Sequence, residues 1–269
     1  MPRVKVNGIG IHYEEHGSGP PLVMIGGLGA DTHLWSQQVP AFSKHFRVVV
    51  FDNRGSGQSD MPDEPYSIPM FAADSVGLML ALGIERAHVV GASLGGLIAQ
   101  ELALTHPEMV DRLVLACTTS NGPRSAKPSL WSLIPILVRL RRTGNPEADT
   151  RRAFSVFVHP RWLAANSGEV EAYVAWRAAH PQPRHAFKRQ RASIRGFHRE
   201  HRLGTITAPT LIVHGDSDRI VPVANARVLG ELIPSSQVVI LEESGHACTF
   251  DQRDRFNETV LAFLGAPTS

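Results

Sequence analysis

His88-Val89-Val90-Gly91-Ala92-Ser93-Leu94-Gly95-Gly96 joins an apolar, β-branched run to a segment with helical spacing over about residues 95 to 105. The serine therefore sits where a buried strand turns sharply into a helix. Such a turn strains the backbone, and glycines two places before and after the serine remove the side chains that would collide there. A bare Gly-x-Ser-x-Gly describes many glycine-rich turns; its placement between strand and helix is what leaves the hydroxyl exposed for chemistry. Ser93 is read as a candidate nucleophile.

Outward from this turn, apolar runs recur at Leu22-Val23-Met24-Ile25, Val48-Val49-Val50-Phe51, Leu113-Val114-Leu115, Thr210-Leu211-Ile212-Val213 and Gln237-Val238-Val239-Ile240-Leu241. They carry no polar alternation, as expected of parallel strands buried on both faces. Segments of helical spacing lie between them, at about 70 to 83 and 251 to 264. Alternating strand and helix predicts an α/β fold with a mostly parallel central sheet and helices on both faces. Stretches at 3 to 6 and 9 to 15, joined by Asn7-Gly8, predict an antiparallel edge hairpin. The strand pattern stops after Cys117 and resumes near 210. The expected organisation is thus a core of residues 1–118 and 204–269 interrupted by a helical insertion, 119–203.

The 269 residues suffice for a sizeable core, and 43% hydrophobic with 19% charged residues describes an ordinary globular protein. The net charge of +2 hides an asymmetry: residues 119–203 hold 16 Lys and Arg against 5 Asp and Glu, a balance of +11 that leaves −9 elsewhere. The basic segment suits an anionic small molecule or ion pairing with the acidic core; no fold or stacking motif points to nucleic acid. No apolar stretch approaches the roughly 18 residues of a membrane span, so no stable membrane insertion is expected. Two cysteines and no apolar leader at the amino terminus suit a reducing cytoplasm, with a single Cys117–Cys248 disulfide left open.

A serine hydroxyl needs a base to take its proton and a third group to orient that base. Of 13 histidines, His246 lies just beyond the last expected strand, in Glu242-Glu243-Ser244-Gly245-His246-Ala247, where a loop can reach the carboxyl edge of the sheet. His88 and His214 lie within or at the end of strands and read as core or support residues. In His214-Gly215-Asp216-Ser217-Asp218-Arg219-Ile220-Val221-Pro222, two aspartates stand near that edge. Asp218 is preferred as the acid, and Asp216 is expected to bond nearby backbone N–H groups. The chain order Ser, Asp, His fits the expected triad order. The N–H of Leu94 is one expected oxyanion donor; the flexible Gly26-Gly27-Leu28-Gly29 loop offers the Leu28 N–H as the second.

Taken together, these motifs resemble the α/β-hydrolase fold family over essentially the whole chain, and specifically its small capped branch of esterases, enol-lactonases and cofactor-free haloperoxidase-like enzymes. Asp52-Asn53-Arg54-Gly55-Ser56-Gly57-Gln58-Ser59 looks like the family's structural D-x-R-G-x-G-x-S loop. The chain departs from most relatives at Gly26, where they carry histidine. The resemblance implies hydrolysis of a small-molecule carboxylic ester with a hydrophobic acyl group, through an acyl-serine and without cofactor or metal. Lactones and thioesters are the nearest alternatives; carbon–carbon hydrolysis, perhydrolysis and a non-catalytic ligand receptor are more distant ones. It also implies that residues 119–203 fold over the nucleophile as a cap. Trp131, Leu133, Phe154, Phe157 and Trp162 are candidates for its pocket lining, with packing of the cap onto the core as the competing role.

Overall fold

The computed structural model describes residues 2–129, 134, 136, 138, 139 and 143–266. Eight strands form one sheet: β1 (Arg3–Val6), β2 (Ile9–His16), β3 (Pro21–Ile25), β4 (Arg47–Phe51), β5 (Ala87–Ala92), β6 (Val110–Ala116), β7 (Thr210–Gly215) and β8 (Ser236–Leu241). Their spatial order is β1-β2-β4-β3-β5-β6-β7-β8. β2 runs antiparallel to both β1 and β4, and the remaining neighbours are parallel. Asn7 and Gly8 turn the edge hairpin with φ of 49° and 82°, the left-handed pair that a two-residue hairpin requires.

Two apolar cores follow from the alternation of side chains along the strands. Val23, Ile25, Val49, Phe51, Val89 and Ile212 face the helices Ile68–Ala81, Leu94–Thr105 and Ala224–Leu232. Leu22, Met24, Val48, Val50, Val90 and Val213 face the opposite side, against Trp35, Phe42 and the Arg253–Leu264 helix. The unbroken apolar runs in the sequence are therefore strands sandwiched between two helical layers. The order also reverses at β3, with β4 on one side and β5 on the other. At such a switch point the loops leaving the carboxyl ends diverge and open a crevice.

Between β6 and β7 the described residues form helices at Pro146–Phe157, Pro160–Ala165, Ser167–Ala179 and Arg184–Arg195. Among the described residues, five arginines of this insertion pair with carboxylates outside it: Arg124 with Glu231, Arg161 with Glu243, Arg177 with Asp31, Arg189 with Asp63 and Arg199 with Glu101. Part of its positive charge is thus met by the acidic core. No described helix is long and apolar enough to cross a membrane.

Candidate functional site

Ser93 adopts φ 55° and ψ −114° between β5 and the Leu94–Thr105 helix. A side chain on Gly91 would drive into the Gly95 carbonyl, and one on Gly95 into the Ile25 carbonyl, so the two glycines let this helix press against both β5 and β3. The turn is pinned from several directions. The Ser93 N–H donates to the Ala116 carbonyl at 2.9 Å, and the Ser93 carbonyl accepts from the Gly96 N–H at 3.0 Å and the Thr118 hydroxyl at 2.7 Å. These bonds over-determine a conformation that would otherwise relax.

His246 comes from the loop after β8, and its Nε2 stands 3.0 Å from Ser93 Oγ. Its Nδ1 stands 2.7 Å from Asp218 Oδ2. Asp218 is fixed in turn, because Oδ1 accepts the N–H groups of Ile220 and Val221, both at 2.8 Å. Burial resists charging of both residues, yet the pair overcomes it. The two neighbouring histidines hold the Asp218 carboxyl far below the usual carboxylate range, and the Asp218 charge raises the His246 pKa above that of an ordinary imidazole. Protonation at Nδ1 toward Asp218 leaves Nε2 free to accept a proton from Ser93.

The structure therefore brings Ser93, His246 and Asp218 together. Asp216 points elsewhere: its carboxylate accepts the N–H groups of Glu243 and Ser244, 3.1 and 3.2 Å away, and so braces the histidine loop, while also bonding Ser217 in its own turn. His214 is fully buried and supports the acid, with Nε2 2.8 Å from the Val221 carbonyl and 3.1 Å from Asp218 Oδ2.

The Gly26–Gly29 loop follows β3 and lies against the nucleophile; a Cβ on Gly27 would be 3.4 Å from Ser93 Cβ. Ala30 N–H closes a turn onto the Gly27 carbonyl at 3.2 Å, with Gly29 at φ 70°. The loop that carries Leu28 therefore runs beside Ser93, at the start of the Leu94–Thr105 helix. The Asp52–Ser59 loop supports the region from below. Asp52 accepts from Thr32 N–H at 2.8 Å and Gln58 N–H at 2.7 Å, while Arg54 makes a buried two-point pair with Asp74 at 2.6 and 2.9 Å.

Among the described pocket candidates, Phe157 is the one in ring contact with this constellation, its ring 5.8 Å from that of His246. Its carbonyl also accepts the Ala247 N–H at 2.8 Å, tying the insertion to the histidine loop. Phe154 is buried against Trp162, Tyr173 and Phe250. Interhelical packing accounts for its burial and for the placement of Trp162 beside it. Trp131 and Leu133 lie outside the described residues.

Sequence reasoning missed Asp251. Its Oδ1 accepts the Ser244 hydroxyl at 2.7 Å, and its Oδ2 accepts the N–H groups of Gly245 and His159 at 2.7 and 2.8 Å. One carboxylate thus joins the loop of His246 to the insertion, a role that no local pattern signals. Cys117 and Cys248 are free and buried, with Sγ atoms 3.2 Å apart. Cys117, His214 and Asp218 bring ligand-type atoms within 4.8 Å of one another, but His214 Nε2 and both Asp218 oxygens are already engaged within the protein.

Known proteins resemble this chain in sequence and fold along nearly its full length. The family model for the alpha/beta hydrolase fold matches residues 20–252. The chain belongs to the α/β-hydrolase fold family. A relative named "Putative carbamate hydrolase RutD", from Azorhizobium caulinodans, is 31% identical over 265 residues, spanning 98% of each chain. Among solved structures of similar α/β-hydrolases, the enol-lactonase from Burkholderia xenovorans LB400 superposes with a TM-score of 0.84 at 29% identity, covering 98% of this chain and 99% of that one. A meta-cleavage product hydrolase from Pseudomonas fluorescens IP01 gives the same TM-score and identity, covering 98% and 97%. This α/β-hydrolase thus has hydrolases as its sequence and structural relatives, and hydrolysis is the activity they support.

Proposed function

We propose that this α/β-hydrolase is a serine esterase acting on small carboxylic esters, including cyclic ones, through an acyl-Ser93 intermediate. The observation that carries the reading is the continuous chain from Ser93 Oγ through His246 to Asp218, at 3.0 and 2.7 Å. Ser93 Oγ attacks the carbonyl carbon as His246 Nε2 takes its proton, and Asp218 stabilises the imidazolium. The Leu28 and Leu94 N–H groups receive the oxyanion of the tetrahedral intermediate. Collapse expels the alkoxide, which takes the proton from His246. A water then repeats the attack on the acyl-serine, with His246 again as base, and returns Ser93. Residues 119–203 act as the cap, with Phe157 as a wall beside His246.

The similarity to the enol-lactonase favours cyclic esters among the substrates. The similarity to the carbamate hydrolase favours a second substrate class, since the same attack on a carbamate yields a carbamoyl-serine. Purified protein challenged with p-nitrophenyl acetate and butyrate, a γ-lactone series and a phenyl carbamate distinguishes these classes. Turnover of at least one class, lost in Ser93→Ala together with labelling by a fluorophosphonate, is the expected result. A folded protein that turns over no member and takes no label overturns the reading.

A further inference from the structure

We propose that Gln190, carried by the inserted helix Arg184–Arg195, is the positioning residue that holds the Gly26–Gly29 loop in its donor geometry. Gln190 is completely buried, and both ends of its amide are used. Oε1 accepts the Gly29 N–H at 2.9 Å, and Nε2 donates to the Arg54 carbonyl and to Ser56 Oγ, each at 2.8 Å. One side chain thereby clamps the loop after β3 to the loop after β4. Gln182 reinforces it, since its Nε2 donates to Gln190 Oε1 at 3.2 Å and also to the Gly55 carbonyl.

The clamp acts where the loop most needs one. Three successive peptides run from Gly26 to Gly29, and the middle one carries the Leu28 N–H. On one side, Asn53 Nδ2 donates to the Gly26 carbonyl at 3.0 Å. On the other, Gln190 takes the Gly29 N–H. The turn between them has Gly29 at φ 70°, a backbone that glycine leaves readily, so the turn needs outside restraint to keep one orientation. With Gly at position 26 the loop has no side chain of its own there to provide restraint. A glutamine 161 residues away supplies it. A buried amide is costly to leave unpaired, so the same four partners that hold the loop also hold Gln190. Because Gln190 belongs to the insertion, the donor geometry depends on that insertion being closed over the core.

This assignment rests on the acyl-serine reading of the site, and its test separates the two. A phenylboronic acid forms a tetrahedral adduct with a nucleophilic serine and places an oxygen among the oxyanion donors, so its binding reports donor geometry without turnover. Gln190→Leu preserves size and removes every hydrogen bond. The expected result is 10- to 100-fold weaker boronate affinity, a matching fall in kcat on the best substrate, and KM within about threefold of wild type, as removal of a transition-state contact requires. Gln190→Asn withdraws the amide by one carbon and carries the same expectation should the leucine variant fail to fold. Folded variants with wild-type boronate affinity and kcat overturn the role of Gln190 while Ser93→Ala still abolishes boronate binding. Equal binding by wild type and Ser93→Ala overturns the acyl-serine reading itself, and this role with it.

Discussion

Asp218 Oδ2 lies 2.7 Å from His246 Nδ1, and the aspartate is held there by two backbone N–H groups rather than by any neighbour it must share with solvent. In the proposed acyl-serine mechanism this pair sets the acid limb of activity. The aspartate raises the imidazole pKa, and only neutral His246 can accept the Ser93 proton, so kcat/KM falls as pH drops through a value above the ordinary imidazole pKa of about 6.5. Asp218→Asn removes the charge that raises it, moves that limb to lower pH and lowers kcat by about 10⁴-fold. A pH–rate profile of both proteins checks the sign. An unmoved acid limb in the variant contradicts the assignment.

Gly95 packs its α-carbon against the carbonyl of Ile25, at the end of the strand that leads to the Gly26–Gly29 loop. Gly95→Ala forces the Leu94–Thr105 helix and β3 apart. Overpacking of this kind costs about 1–3 kcal/mol. The displacement also moves the loop beside Ser93, so urea denaturation is expected to show lower stability and kcat to fall with it.

Two ion pairs between insertion and core differ in burial and should differ in worth. Glu101 is almost fully buried opposite Arg199, whereas Arg124 and Glu231 are both well exposed. Arg199→Ala leaves a buried carboxylate without its partner and is expected to cost about 3 kcal/mol, at the lower end of the range for such losses because Arg199 is itself partly exposed. Arg124→Ala is expected to cost less than about 1 kcal/mol. Equal midpoints in chemical denaturation would contradict this ranking.

Phe157 places its ring beside His246 while its carbonyl anchors the histidine loop. Phe157→Ala keeps the backbone anchor and removes the wall. Losing an aromatic contact of roughly 0.5–1.5 kcal/mol translates into a rise of up to about tenfold in KM, together with an altered acyl-chain preference. Phe154→Ala, which empties the interhelical cluster, is expected instead to lower the melting temperature with little change in that preference.

Local features carried much of the fold into the sequence. Unbroken apolar runs identified strands buried on both faces, Asn7-Gly8 identified the hairpin, and the glycines around Ser93 identified the sharp turn, because each expresses a constraint between near neighbours. The choice of Asp218 over Asp216 was harder, since two carboxylates two residues apart differ only in the directions they face. Backbone geometry separates them: Asp218 is turned to His246, and Asp216 to the N–H groups of Glu243 and Ser244. The aromatic residues of the insertion were less legible still. Phe154 and Phe157 are three residues apart on one helix, yet one is enclosed among aromatic rings and the other faces a histidine.

By itself the sequence determined the sheet and the serine turn, because hydrophobic period and glycine sterics act over a few residues. Only the tertiary structure decided which carboxylate meets His246, which insertion side chains approach the site, and that Asp251 and Gln190 brace its two loops. Those contacts join residues distant in sequence, through single hydrogen bonds whose partners are selected by the packing of whole elements.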